Sequence, residues 1–443
     1  MQSRFVVLSL VIALSACQRK VVSTSQTLQL PQQFENIKID GGGLSLEGGP
    51  CEPSIAINPT NRDNIVAGAI LNRSYHSNDG GKTWTKQILK SSYGVFGDPV
   101  ITPDFKGNFY YSHLSDPSGK GWADASILDR IVIQKSSDGG QSWDDGSYTG
   151  LRHPKDQDKQ WLAVHPENNT IYISWTEFDQ YGSPEAKDHS RILFSQSMDE
   201  GKTWAEPIQI NELEGDCIDD DQTPEGAVPA VGLDGSLYIA WSFDQKIYLD
   251  KSTDGGKTWL EKDILVSTQP GGWTFDIPGI FRANGLPITA IDNSNGPNQG
   301  TIYINWCDQR NGLADTDVWL AKSTDQGETW SAPIRVNNDA PGKQQFFTWM
   351  DIDQTTGHLY FVFYDRRAYE DDKTDVYIAY SSDGGKTFIN QKVSDTPFLP
   401  SKNAFFGDYN NISAHDGRVR PIWTRADGVN LSIWTALIEM DKK

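Results

Sequence analysis

The stretch Ser252-Thr253-Asp254-Gly255-Gly256-Lys257-Thr258-Trp259 decides the fold. An aspartate followed at once by glycines makes a tight hairpin turn. Its carboxylate accepts bonds from nearby backbone N–H groups, and glycine supplies the positive φ the turn needs. The serine and threonine hydroxyls add further local bonds. The closing tryptophan starts the next strand and gives it a large apolar anchor. The pattern S-x-D-x-G-x-[ST]-[WF] occurs six times, beginning at Ser77, Ser136, Ser197, Ser252, Ser323 and Ser381. Its aspartates, Asp79, Asp138, Asp199, Asp254, Asp325 and Asp383, are separated by 59, 61, 55, 71 and 58 residues. A length of 443 residues would otherwise suggest two or three domains, but such spacing marks a single repeat fold.

Each turn sits at the same place in a longer unit. Around Asp325, strand-like runs occupy residues 287–292, 301–306, 318–322 and 332–336; around Asp383 they occupy 348–353, 359–364, 376–380 and 390–393. Four short antiparallel strands repeated around a ring form a propeller blade. The inner-strand pattern occurs seven times, near Pro53, Pro99, Gln160, Ala227, Pro287, Thr348 and Phe406. The last set (406–414, 418–423 and 431–437) has three strands and no turn motif. A segment near residues 35–40 or 44–47 then supplies its fourth strand and joins the two ends of the ring. The expectation is an all-β propeller over residues 35–443, with seven blades; six, one per motif, is the alternative.

The formal net charge of −20 argues against nucleic acid and against anionic lipid surfaces as partners. At the N-terminus, Arg4 precedes an apolar stretch over residues 5–13 and then Leu14-Ser15-Ala16-Cys17. This reads as a secretory signal over residues 1–16, too short to remain as a membrane span. The last four residues resemble a bacterial lipobox, which implies acylation of Cys17 and a lipid-anchored protein of the bacterial cell envelope. On this reading membrane contact is through that anchor alone, and residues 17–34, rich in Ser, Thr and Gln, are a flexible tether. The other cysteines, Cys51, Cys217 and Cys307, match no zinc spacing. A Cys51–Cys217 disulfide and buried free thiols are both open readings.

Strand direction alternates within a blade, so the motifs lie on one face and the starts of the inner strands on the other. Function belongs on the second face, where longer loops converge on a central funnel. Residues there include Glu52, Asp98, Asp158, Glu225 and Asp408 at inner-strand starts, and Arg310, Arg367 and Arg425 at second-strand ends. Carboxylates with neighbouring arginines suit acid–base chemistry on an anionic sugar; salt bridges between blades are the structural alternative. The acidic runs at 212–221 and 370–375 read as solvated charge, although calcium binds loops of this kind. No metal or other cofactor is expected.

The repeated motif is the Asp box, and through it the chain resembles the bacterial sialidase superfamily. The resemblance implies an exo-glycosidase acting on a terminal acidic sugar, working as a monomer on a glycan. In chain order it implies Asp98 as acid/base, Tyr409 activated by Glu225 as nucleophile, and Arg310, Arg367 and Arg425 as a carboxylate clamp. Glu52, Asp158 and Asp408 would complete the substrate site. The Phe-Arg-Ile-Pro motif of that family is missing, Phe281-Arg282-Ala283-Asn284 is a poor substitute in the wrong blade, and seven blades depart from the family's usual number. Asp-box propellers also serve as non-catalytic glycan- or protein-binding modules. A polysaccharide lyase or another hydrolase on the same fold is the remaining alternative.

Overall fold

A computed structural model describes residues 33–45 and 48–440. The expected signal sequence, the expected acylation site Cys17 and nearly all of the expected tether lie outside the described residues. Among the described residues, 28 of 30 strands form seven four-stranded antiparallel sheets, and the other two form a small hairpin. The inner-strand count, not the motif count, gives the number of blades.

Strand β1 (Glu35–Leu44) is the outer strand of the last blade. Blade 1 holds β2 (Ser54–Ile57), β3 (Ile65–Ala69), β4 (Arg73–Ser77) and β5 (Thr85–Ile88). Blade 2 holds β6 (Val100–Pro103) to β9 (Ser147–Thr149), and blade 3 holds β10 (Asp156–Val164) to β13 (Ile208–Gln209). Blade 4 runs from β14 (Glu225–Val231) to β17 (Ile264–Thr268). A hairpin of β18 (Thr274–Phe275) and β19 (Ala283–Asn284) follows it. Blade 5 runs from β20 (Ile288–Ile291) to β23 (Ile334–Arg335), and blade 6 from β24 (Gln345–Asp353) to β27 (Ile389–Lys392). Blade 7 takes β28 (Asn411–His415), β29 (Arg418–Asp427) and β30 (Asn430–Glu439), and β1 pairs antiparallel with β30, Glu35 opposite Leu437. The ring is closed by that pairing. Asp40 also ties β1 to blade 1: it is buried and accepts bonds from the Tyr75 hydroxyl at 2.7 Å and the Lys86 ammonium at 2.7 Å.

The Asp boxes close the turns between third and fourth strands. In the fourth, Asp254 Oδ1 accepts bonds from Lys257 N (3.0 Å), Thr258 N (2.9 Å) and the Ser252 hydroxyl (2.8 Å), and Oδ2 accepts from the Thr258 hydroxyl at 2.7 Å. The box tryptophans do more than anchor their own strands. Trp84, Trp143, Trp204, Trp259 and Trp330 each pack into the apolar layer shared with the preceding blade. Each is a wedge that holds neighbouring sheets together as well as a strand starter. Cys51, Cys217 and Cys307 are buried free thiols, so the Cys51–Cys217 disulfide is not formed.

Candidate active site

The site is built from one repeated backbone feature. Two residues before the regular pairing of the inner strand stand Glu52, Asp98, Lys159, Gly226 and Phe347, with φ of 51°, 48°, 53°, 80° and 50°. In β10, β14 and β24 the pairing register shifts at this point, a β-bulge. Left-handed backbone is unfavourable for a residue with a Cβ, by roughly 1–2 kcal/mol. Four side-chain-bearing residues hold it here, and at Lys159 and Phe347 it coincides with the bulge. Glu52, Asp98 and Lys159 come from three consecutive blades.

Lys159 joins the ring across its centre. Its Nζ lies 3.2 Å from Asp98 Oδ2 and 2.8 Å from Asp408 Oδ2. Asp408 is also gripped by Arg282, whose Nε donates to Oδ1 at 2.8 Å and whose Nη2 donates to Oδ2. Arg282 Nη1 binds Asp219 Oδ2 at 3.0 Å, and the Tyr181 hydroxyl donates to that same oxygen at 2.5 Å. The Asp408 backbone is fixed as well: its N–H donates to Glu52 Oε1 at 3.0 Å, and its carbonyl accepts from Asn284 Nδ2 at 2.8 Å. The result is a continuous polar path Asp98–Lys159–Asp408–Arg282–Asp219–Tyr181. Lys159 and Asp408 are almost fully covered, whereas the Arg282 side chain is 30% exposed.

The charges sort themselves by environment. Burial opposes the charge on Lys159, but Asp408 and Asp98 outweigh it and hold its pKa well above the ordinary value. For Arg282 burial is likewise overcome by Asp408 and Asp219. Asp408 is pushed up by burial and pulled further down by Arg282 and Lys159, so it is ionised. Asp158 is driven up to about 7, by burial first, with Asp98 and Asp219 adding to it against Lys159. Glu225 and Glu52 are raised well above the carboxylate range by burial, helped by Asp219 for Glu225 and by Asp98 for Glu52. Neither oxygen of Glu225 has a hydrogen-bond partner among the described residues.

An aromatic layer floors the site. Trp161 lies 4.2 Å from Trp349 and 5.3 Å from Tyr409 between ring centroids. A small cavity of about 20 Å³ separates this layer from Lys159 and Asp408. On the other side of it, a channel of about 590 Å³ runs toward the Asp-box face, lined largely by inner-strand residues such as Ile55, Ile101 and Leu162. That channel is the larger space, but the interlocked acids and cations are at the opposite end.

The structure brings Glu52, Asp98, Asp158, Glu225 and Asp408 to one end of the axis through these contacts and mutual electrostatic effects. It does not bring Arg310, Arg367 and Arg425 there. Each pairs with a carboxylate two residues away: Arg310 with Asp308 at 2.9 Å, Arg367 with Asp365 at 2.8 Å and Arg425 with Asp427 at 2.9 Å. Arg310 and Arg367 also stack on Trp319 and Tyr377 of the third strands, at 4.4 and 4.3 Å. They end second strands, one place outward from the axis, and their remaining contacts are with their own or the preceding blade: Arg310 Nη2 donates to the Thr268 carbonyl of blade 4 at 3.1 Å, and Arg425 Nη1 to the Thr396 carbonyl ahead of blade 7 at 3.0 Å. Nor do Tyr409 and Glu225 form a pair: the Tyr409 hydroxyl donates to the Pro99 carbonyl at 3.3 Å.

Lys159 and Tyr181 are the residues that sequence reasoning missed; Arg282 was set aside as standing in the wrong blade, and Asp219 lay in the acidic run read as solvated charge. One signal pointed to Arg282. The interval between Asp254 and Asp325 is 71 residues against 55 to 61 elsewhere, and the extra length is the β18–β19 hairpin that carries Arg282 over the site.

A family model described as the BNR/Asp-box repeat matches residues 75–86, which hold the first box. Among curated proteins, the chain is 21% identical over 408 residues to the xyloglucanase Xgh74A of Acetivibrio thermocellus, covering 87% of this chain and 42% of that protein. It is 29% identical over 163 residues to a sialidase of Bacteroides fragilis (strain YCH46), covering 32% and 28%. The chain therefore spans less than half the length of these relatives. Among solved structures, a PL25 polysaccharide lyase, an ulvan lyase, superposes with a TM-score of 0.55 at 12% identity, covering 91% of this chain and 96% of the lyase. At that identity the likeness is one of fold. The chain therefore carries six Asp boxes, the first of them matched by the BNR/Asp-box repeat model, on a seven-bladed β-propeller.

Proposed function

We propose that this protein is a glycan-active enzyme that cleaves a glycosidic bond beside an acidic sugar, with its reaction centre at the exposed end of the polar path. The observation that carries the reading is that Tyr181 and Arg282 share one carboxylate oxygen, Asp219 Oδ2, at 2.5 and 3.0 Å. A tyrosine beside a carboxylate and an arginine is the combination that the sialidase resemblance sought in Tyr409, Glu225 and the outer arginines. In this reading Asp219 takes the Tyr181 proton as the phenol oxygen attacks the anomeric carbon. The bond to the leaving sugar breaks with a proton from Asp158, whose pKa of about 7 suits a donor at neutral pH. Water then releases the bound sugar, Asp158 regains a proton and Asp219 returns one to Tyr181. Arg282, with N–H groups left over from its two aspartates, recognises the substrate carboxylate. Asp98, 3.2 Å from Lys159, serves as the carboxylate that keeps that lysine in place.

The relatives' names support the coarse class, since a xyloglucanase, a sialidase and a polysaccharide lyase all act on glycans. The test is sugar release from sialylated and uronic-acid glycans by the wild type, Tyr181→Phe and Asp158→Asn. Release that falls at least about 100-fold in both folded variants is the expected result. An unsaturated product absorbing in the ultraviolet would assign a lyase instead. No release from any of these glycans, or release untouched by both substitutions, overturns the reading.

A further inference from the structure

Two exposed aromatic side chains flank the polar path. Trp122, on the loop between the second and third strands of blade 2, is 63% exposed; Phe281, at the end of the inserted hairpin loop, is 58% exposed. Exposed aromatics scattered singly are ordinary. These two are different because each is joined to the path, Trp122 directly through Tyr181 and Phe281 through one further ring. Trp122 lies 5.5 Å from Tyr181, centroid to centroid, and also packs edge-on against Phe96 at 6.2 Å. Phe281 packs edge-on against Phe405 at 6.1 Å, and the Arg282 guanidinium sits 5.6 Å over that same Phe405 ring. Trp122 belongs to blade 2, whereas Phe281 and Phe405 come from the connections leading into blades 5 and 7. In a ring of seven these stand on opposite sides of the axis.

We infer that the active-site face is a groove that takes an internal segment of a polysaccharide, with the acidic sugar at Arg282 and its neighbours stacked on Trp122 and on Phe281. This rests on the reading of the site as glycan-active and changes its substrate from a terminal sugar to a chain. The physical case is that a pyranose has one face of C–H bonds, which packs flat on an aromatic ring while the hydroxyls stay in water. A site for a terminal sugar needs one closed pocket, whereas platforms on both sides of the charged centre give a chain support before and after the bond to be cut. Charge narrows the class further. Arg282 and Lys159 are surrounded by Asp98, Asp158, Asp219 and Asp408, and the whole chain carries −20. A polymer charged at every sugar is repelled. A heteropolymer that spaces acidic sugars with neutral ones meets Arg282, the more exposed of the two cations, and the platforms together.

The experiment uses the full chain with gellan, in which glucuronic acid alternates with runs of neutral sugars, and polygalacturonate, which is acidic at every sugar. Binding is read by retardation in native gels containing the polymer, and cleavage by product size. The expected result is retardation by gellan but not by polygalacturonate, weakened about tenfold by Trp122→Ala and by Phe281→Ala, with Met198→Ala on the Asp-box face as an unaffected control. Cleavage would give long fragments first, and both substitutions would raise KM on polymer more than on a disaccharide substrate. Stronger retardation by polygalacturonate, no retardation by either polymer, or retardation insensitive to both substitutions overturns the groove. Trp122-dependent retardation without cleavage leaves the groove standing and counts against the enzymatic reading. Release of single sugars only, with neither substitution felt, does the reverse.

Discussion

Lys159 and Asp408 stand 249 residues apart in the chain, and their charged atoms meet at 2.8 Å. The contact joins blade 3 to the start of blade 7 across the axis, and Asp98 of blade 2 completes the lysine's company at 3.2 Å. An ammonium this well covered is stable as a charge only while both carboxylates remain. Removing it leaves Asp98 and Asp408 facing each other under cover, so Lys159→Met is expected to cost about 3 kcal/mol. Urea denaturation with an unchanged slope would measure it. A cost near zero would mean that water, not the aspartates, solvates this lysine.

Inner and outer arginines are expected to behave differently. Arg282→Ala removes the cation shared by Asp408 and Asp219, and activity on an acidic glycan should fall at least about 100-fold. Arg310→Ala takes the cation from a fully buried Asp308 and breaks a stack on Trp319, which is a loss of about 3 kcal/mol of stability with turnover retained. Steady-state kinetics on both variants separate the two roles, and loss of turnover in Arg310→Ala would restore the outer arginines to the site.

Activity should fall on the alkaline side. Asp158 is raised to about 7, so its proton is present below that pH and is lost above it. With Asp158 as proton donor, log kcat declines with unit slope above about pH 7, and Asp158→Asn removes that limb together with most of the rate. A rate that climbs through pH 7 to 9 would exclude Asp158 from the role.

The boxes are expected to matter for stability and not for turnover. Burial pushes Asp383 upward, but bonds from Thr387, Ser381 and Lys386 outweigh it and hold its pKa down to about 2. A depressed folded-state pKa gives stability that is complete above about pH 4 and is lost as pH falls toward 2. Asp383→Ala should therefore cost about 1 kcal/mol at pH 7 and progressively less below pH 4, with kcat unchanged. Thermal melts across that range test the sign.

Ring closure depends on Asp40, which couples the outer strand of blade 7 to Tyr75 and Lys86 of blade 1. Asp40→Ala leaves the Tyr75 hydroxyl under cover without its acceptor, and a loss of about 2 kcal/mol is expected. Hydrogen exchange should then quicken first in β1 and β30. Exchange that quickens evenly over all seven blades would show that β1 is not the weakest closure.

By itself the sequence determined the repeat, the four-strand blade, the seven inner strands and the strand that closes the ring. It did so because each of these depends on near neighbours. An aspartate reaches N–H groups three and four residues on, glycine turns the chain, and strand lengths show in alternation. Even the inserted hairpin left its trace as one long interval between boxes. Only the tertiary structure decided which charged residues meet. Asp98 at an inner-strand start and Arg310 at a second-strand end look alike in sequence, yet one strand's width of radial distance puts the first on the axis and turns the second against Trp319. Tyr409 was in the expected blade but lies in the aromatic floor, while Tyr181, on a loop of blade 3, reaches Asp219. Lys159 carried no motif. Its place follows from a bulge with positive φ and from carboxylates supplied by other blades, and long-range partners of that kind leave no local pattern in the chain.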